Sequence, residues 1–289
     1  MAQPPSAVQE NNIFCSFARM ETVQVQAESV EEPRGLRHWL SRLRSYFFWD
    51  PLIWFYTIVM GSLSLLSSFF DPSGRIQHRF ARLWSGMILG TIGARVTVEG
   101  LEKVDTAKAQ VYVVNHLSAL DVPVLYQNLP FQFRILAKRE LFRYPFMGWH
   151  LRRSGQIPVD LENPKKSIRS LNHAVDAIKS NMALVIFPEG GRSENGQLQP
   201  FMGGAFFAAI RAQASIVPMA LVGTYETLKM NTWHIKPRPI RLLVGDPIPT
   251  VGLKVRDTEA LAQKAREVVA GLYYANSPLL DLRKTNQQS

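Results

Sequence analysis

The chain has 289 residues, 46 % of them hydrophobic and only 19 % charged; this is enough for one sizeable core with appendages, and the charged share falls below the ~25 % of ordinary soluble domains. The formal charge of +10 is uneven: residues 1–32 hold one basic and five acidic side chains, so the rest of the chain carries +14. A basic body suits an anionic partner; no zinc-ligand spacing or RNA-binding aromatic run is present, so the reading is a phospholipid membrane and no nucleic acid.

Residues 1–33 are polar, rich in Gln and Glu, with Pro4, Pro5 and Pro33, and read as a disordered tail. The single cysteine, Cys15, lies there, which excludes a disulfide framework and fits reducing surroundings. Residues 1–12 lack the basic patch and apolar run of a secretory leader. Residues 34–93 read as membrane-associated helices. Arg34, Arg37, Arg42 and Arg44 give way to Tyr46, Phe47, Phe48 and Trp49, and then to 19 uncharged residues, Leu52–Phe70. Asp50-Pro51 reads as the start of that helix and Asp71-Pro72 as its stop. Its length, about 28 Å, matches a hydrocarbon core. Arginines on both sides leave its orientation open, and a two-helix anchor that dips into one leaflet competes with one full span. In 75–92, Ile76, Phe80, Leu83, Trp84, Met87 and Ile88 recur at helical spacing, as in an interfacial helix.

From residue 94 the pattern alternates. Strands are expected at 95–98, 110–114, 133–137, 156–159, 183–187, 216–221 and 240–244. Helices are expected from Asn163-Pro164, with Ile168, Leu171, Val175 and Ile178 on one face, over 204–214 and over 257–276. Such alternation predicts an α/β domain at 94–276, a largely parallel central sheet flanked by helices, behind the N-terminal helical membrane anchor. Residues 277–289 read as a polar C-terminal tail.

Two stretches carry chemistry. Asn115-His116-Leu-Ser-Ala-Leu-Asp121 directly follows the apolar run Val111–Val114, which places it at the carboxyl edge of the sheet, where open α/β sheets build their sites. Folding Asp121 back onto the His116 ring fixes one nitrogen and leaves the other to accept a proton. A core histidine beside a plain helix cap is the competing reading. Ser118 lies in no Gly-x-Ser-x-Gly elbow, so a serine nucleophile is not expected. Phe187-Pro-Glu189-Gly190-Gly191-Arg192-Ser193 follows a second buried run, Ala183–Ile186. Its glycines let amides approach an anion, and Arg192 offers a fork for phosphate. Glu189 orders the loop or meets a substrate hydroxyl. Lys138 and Arg139 follow a third strand and add charge at the same edge.

These motifs resemble those of the glycerophospholipid acyltransferase family, particularly its 1-acylglycerol-3-phosphate acyltransferases. Asn115, His116 and Asp121 match its Asn-His-x4-Asp motif; Phe187, Pro188, Glu189, Gly190, Arg192 and Ser193 match Phe-Pro-Glu-Gly-x-Arg-Ser. Ala137, Lys138, Glu140, Leu141, Pro145, Gly148 and Trp149 fit a connecting motif, Gly155 to Asp160 another, and Val217-Pro218-Met219 the last. Gly191 stands where a Thr is usual, and Leu161 where a basic residue is common. The resemblance implies transfer of a fatty acyl group from acyl-CoA or acyl carrier protein, as donor substrate, to the free hydroxyl of 1-acylglycerol-3-phosphate, giving phosphatidic acid. His116 would act as base and Asp121 as its orienting partner; Glu189, Gly190, Arg192 and Lys138 would bind substrate. No metal and no cofactor are required. Other lysophospholipids, glycerol-3-phosphate or a lyso-ornithine lipid are alternative acceptors, and a non-catalytic lipid-binding module is the alternative of a different class. The expected location is a membrane with the catalytic body on the cytoplasmic side, a bacterial inner membrane in the first instance.

Overall fold

The computed structural model describes residues 35–160 and 164–277. The expected tails, apart from the buried Ser277, lie outside the described residues, as do Cys15 and Leu161.

Among the described residues, seven strands form one sheet: β1 (Val96–Glu99), β2 (Val111–Val114), β3 (Phe133–Lys138), β4 (Ile157–Val159), β5 (Ala183–Ile186), β6 (Ile216–Val222) and β7 (Ile240–Val244), in the order β1-β7-β6-β2-β5-β3-β4. Every neighbouring pair is parallel except β6 with β7. The central strands β2, β5 and β6 are buried at every residue. Their unbroken apolar runs follow from burial on both faces, which removes any reason for alternation. Ile135, Val185 and Met219 belong to a core shared with Val124 and Leu125 of α4 (Asp121–Asn128) and Leu89 of α3 (Arg75–Thr91). On the other face, Val113, Ile186 and Ile216 pack with α6 (Pro164–Lys179), α7 (Gly204–Ala212) and α9 (Thr258–Asn276).

Two neighbouring strands set the position of the site. β2 connects through α4 to β3, and β5 connects through α7 to β6, the opposite direction along the sheet and on the opposite face. The carboxyl ends of β2 and β5 therefore flank a topological switch point, where a crevice opens.

The helix before the domain differs from expectation. Asp50-Pro51 does not begin it: the chain is helical from α1 (Leu36–Arg44) through a π turn at Ser45–Trp49 into α2 (Asp50–Ser67). Pro51 lacks an N–H and crowds the preceding turn, and the wide turn just before it relieves both problems. The Leu36–Ser67 stretch is long and apolar enough to cross a membrane by length and composition. One side of it is fixed to the body along its length. Ser41 bonds His234, Ser45 bonds the Ile235 backbone, Trp84 of α3 donates to Thr57, and Ser64 meets His150 of α5 (Met147–Arg153). Its other side leaves Phe47, Phe55, Ile58, Leu66 and Phe70 exposed. The 75–92 stretch is α3, wedged between α2 and α4. Ile88 is buried, Leu83 faces out, and Arg82 donates to the carbonyls of Leu129 and Gln127 at the end of α4. In α6, Val175 and Ile178 are buried as expected, whereas Ile168, expected on the same face, is exposed.

Candidate active site

The register of β2 against β5 pairs Val113 with Ile186. Three residues beyond each lie His116 and Glu189, so the two loops leave the sheet side by side. They are bonded directly to each other. The His116 amide donates to Glu189 Oε1 at 3.0 Å, and the Ser193 amide donates to the His116 carbonyl at 2.9 Å. The second carboxylate oxygen of Glu189 accepts the Gln199 amide at 2.9 Å.

Within the first loop almost every polar group has a structural partner. Asn115 is fully buried and clasps β6: its amide donates to the Leu221 carbonyl at 2.9 Å and its oxygen accepts the Leu221 amide at 2.7 Å. Ser118 is a strut, donating to the Leu228 carbonyl at 2.7 Å. Asp121, wholly buried, opens α4; its Oδ2 accepts the amides of Leu117 at 2.7 Å and Ser118 at 2.9 Å and lies 2.8 Å from His116 Nδ1. A carboxylate that collects N–H donors in this way acts as a pure acceptor, so the ring nitrogen facing it carries the proton. Nε2 is then the acceptor, with no protein partner among the described residues. The ring stacks on Phe187, centroids 4.0 Å apart at 24°, and its side chain stays 19 % exposed. Its plane is thus fixed from two directions while one edge remains open.

Burial pushes Glu189 up from 4.5 to about 7, against the two amides that favour its charged form. Its carboxylate faces inward and joins the loops. Gly190 sits at φ 72°, a left-handed conformation that glycine adopts without strain, and its amide is used within the turn, donating to the Phe187 carbonyl at 3.1 Å. Of the two glycines, Gly191 keeps a free amide among the described residues. The cations on this edge divide. Arg139 pairs with Asp160 at 3.5 Å and donates to Ser170 at 3.3 Å, so its charge is already matched. Lys138 is exposed, and its ammonium lies beside Gly191, 3.8 Å from where a Cβ there would sit. Arg192 is half-buried, and no carboxylate partner is present among the described residues.

The structure therefore brings His116, Asp121, Glu189, Gly190 and Lys138 to one edge, with Arg192 on the same loop as Glu189. Phe187, quoted in the sequence only as part of its motif, takes a site role there that sequence reasoning did not assign, as the ring stacked on His116. The signal was its place directly after β5, level with the residue after Val113 across the register.

A largely parallel α/β sheet carries a paired His and carboxylate at its switch point, beside a loop whose arginine has no carboxylate partner among the described residues, an arrangement chemically suited to an anionic substrate. Residues 95–222 match the family model described as Acyltransferase. It is 32 % identical over 182 residues to a 1-acyl-sn-glycerol-3-phosphate acyltransferase of Cocos nucifera, covering 62 % of this chain and 58 % of that protein. It is 29 % identical over 214 residues to one of Limnanthes douglasii, covering 73 % of this chain and 75 % of that one. The coconut match thus spans under two thirds of the relative's length. Among solved structures, the crystal structure of the 1-acyl-sn-glycerophosphate (LPA) acyltransferase of Thermotoga maritima superposes with a TM-score of 0.64 at 24 % identity, covering 81 % of this chain and 93 % of that one. That likeness establishes the shared fold.

Proposed function

We propose that the protein is an O-acyltransferase that moves a fatty acyl group from a thioester, acyl-CoA or acyl carrier protein, to the free hydroxyl of 1-acylglycerol-3-phosphate, releasing the thiol and phosphatidic acid. The observation that carries this is the His116 Nδ1–Asp121 Oδ2 pair at 2.8 Å, at the crevice and with Nε2 unengaged among the described residues. Nε2 takes the proton of the acceptor hydroxyl as its oxygen attacks the thioester carbonyl; Asp121 holds the ring and balances the imidazolium. The proton then passes to the departing thiolate. The Gly191 amide is the candidate donor to the developing oxyanion. Arg192, with Lys138 beside it, holds the acceptor phosphate in a charge-assisted clamp. Glu189 and Gly190 act by shaping the loop. No metal or cofactor takes part in this reading.

The names of the relatives support the acceptor; they describe those proteins and give this chain its first substrate to try. The apolar Leu36–Ser67 helix supports attachment to a phospholipid membrane. Because its inner side is bonded to the body from Ser41 to Ser64, we favour insertion of its outer side into one leaflet over a full crossing. The 34–93 helices then form one platform with the 94–276 domain. The basic charge supports a body that faces an anionic surface, the cytoplasmic side in this reading; a bacterial inner membrane is one such host, and the relatives also include a chloroplastic plant protein.

The test is purified full-length protein in phospholipid vesicles, supplied with long-chain acyl-CoA and lysophosphatidic acid. Thiol release that depends on lysophosphatidic acid and disappears in His116→Ala is the expected result. Release with other lysolipids and none with the phosphate monoester would reassign the acceptor; no acceptor-dependent release at all would leave a lipid-binding module.

A further inference from the structure

We infer that the turn Tyr144–Trp149 is a second membrane contact, which presses the carboxyl end of β3 against an anionic bilayer beside the anchor helix. The inference rests on the membrane attachment proposed above. Tyr144, Phe146, Met147 and Trp149 are all exposed, Phe146 at 66 %. Large apolar side chains at this density gain nothing from packing in water.

The backbone is built to display them. Phe146 has φ 59° and ψ −62°, and the Met147 amide donates to the Pro145 carbonyl at 2.6 Å. That combination is a γ-turn of the rare, strained sense. It is held from below: Gly148 packs so closely on the Phe142 carbonyl that a Cβ there would come within 2.2 Å, and Arg152 donates to the same oxygen at 2.6 Å. Strain of this kind persists only where the surroundings impose it, and it marks places of function more often than of packing. Here its product is a phenyl ring aimed away from the protein, which a bilayer would bury.

Two observations select a lipid surface as the occupant. First, the turn is continuous with the anchor. His150 meets Ser64 at 3.2 Å, and the Arg153 guanidinium lies 4.8 Å over the ring of Phe69, itself exposed beyond the end of α2. The apolar side chains of the turn thus extend the outward face of that helix. Second, Arg143, Arg152 and Arg153 flank the turn, and no carboxylate pairs with them among the described residues, which suits anionic headgroups. Lys138 lies six residues before Tyr144, so the contact would hold the phosphate clamp at headgroup depth, where an acceptor lipid can enter sideways.

The experiment uses the full chain with Cys15→Ser and a bimane label on Met147→Cys, bound to phosphatidylcholine vesicles containing roughly one third phosphatidylglycerol. A control carries the label on Glu259→Cys in α9, on the opposite layer. The expected result is a blue shift and quenching by shallow brominated lipids at 147, neither at 259, and loss of the 147 signal in Phe146→Asp while the protein still floats with the vesicles. Phe146→Gly, which relaxes the turn, should raise the melting temperature and still weaken the quenching; a merely structural Phe146 would leave it unchanged. If the chain floats but the 147 label keeps its aqueous emission, this inference fails and the membrane reading stands. If the chain does not float, both fail. A 147 shift seen only with a protein partner would also overturn it.

Discussion

The two loops that meet at the carboxyl edge are built on opposite plans. In 115–121, Asn115, Ser118 and the Oδ2 of Asp121 are bonded to backbone groups, and His116 is braced by a carboxylate and a phenyl ring. In 189–193, Glu189 and Gly190 face inward, yet the Gly191 amide and Arg192 guanidinium are left unmatched among the described residues, with the Lys138 ammonium beside Gly191. A base must already hold its orientation when the substrate arrives, so its partners are permanent. A clamp must exchange water for phosphate, so its donors are kept free. Each loop fails differently when altered, which gives the contrast its experimental content.

The largest expected effect comes from the braced loop. His116→Ala removes the proposed base and should lower kcat by ~10²–10⁴-fold, the usual worth of general base catalysis. Thiol-release kinetics together with a melting curve check it: near-normal turnover, or a collapsed fold, would break the contrast. In the open loop, Arg192→Gln should act mainly on KM. A charge-assisted bond worth ~1.5–3 kcal/mol corresponds to about a 10–100-fold rise for a phosphate-bearing acceptor, with kcat largely kept. An equal fall in kcat would move Arg192 from clamp to chemistry.

Glu189 sharpens the comparison through pH. Its folded value, raised from 4.5 to about 7, means that the folded protein holds this proton more tightly than the unfolded chain. Stability from this group is therefore greatest below that window, falls as pH rises through it, and is level above about 7. Denaturant midpoints measured at about pH 5 and about pH 8 should converge in Glu189→Gln relative to the native chain. The smallest effect is expected at Gly191. It has no positive φ, and a Cβ there meets only the Lys138 ammonium at 3.8 Å. Gly191→Thr should therefore raise stability by about 0.4–1 kcal/mol through the unfolded chain, with little change in activity.

Much of this was legible in the sequence because the signals were local. The runs Val111–Val114 and Ala183–Ile186 are apolar throughout and could only be buried strands, and each is followed at once by its polar motif. The strand edges shifted by a residue or so, as at Glu99 and Val222. What was hidden depended on partners distant in the chain. Nothing near β7 reveals that it runs against β6, and no local pattern says that Arg139 meets Asp160 whereas Lys138 has no carboxylate partner among the described residues. The Phe187 ring lies against His116 only because β5 is neighbour to β2. Asp50-Pro51 misled because a proline that opens a helix and one accommodated by a wide turn look alike in sequence.

Trp49 joins Ile88, Ile92, Leu120 and Ile235 in one apolar cluster. Leu120 immediately precedes Asp121, so the amphipathic helix forms part of the wall behind the reactive pair. A truncated chain beginning after residue 70, made to gain solubility, would uncover that wall. It would trade one greasy surface for another and loosen the turn that aims the imidazole.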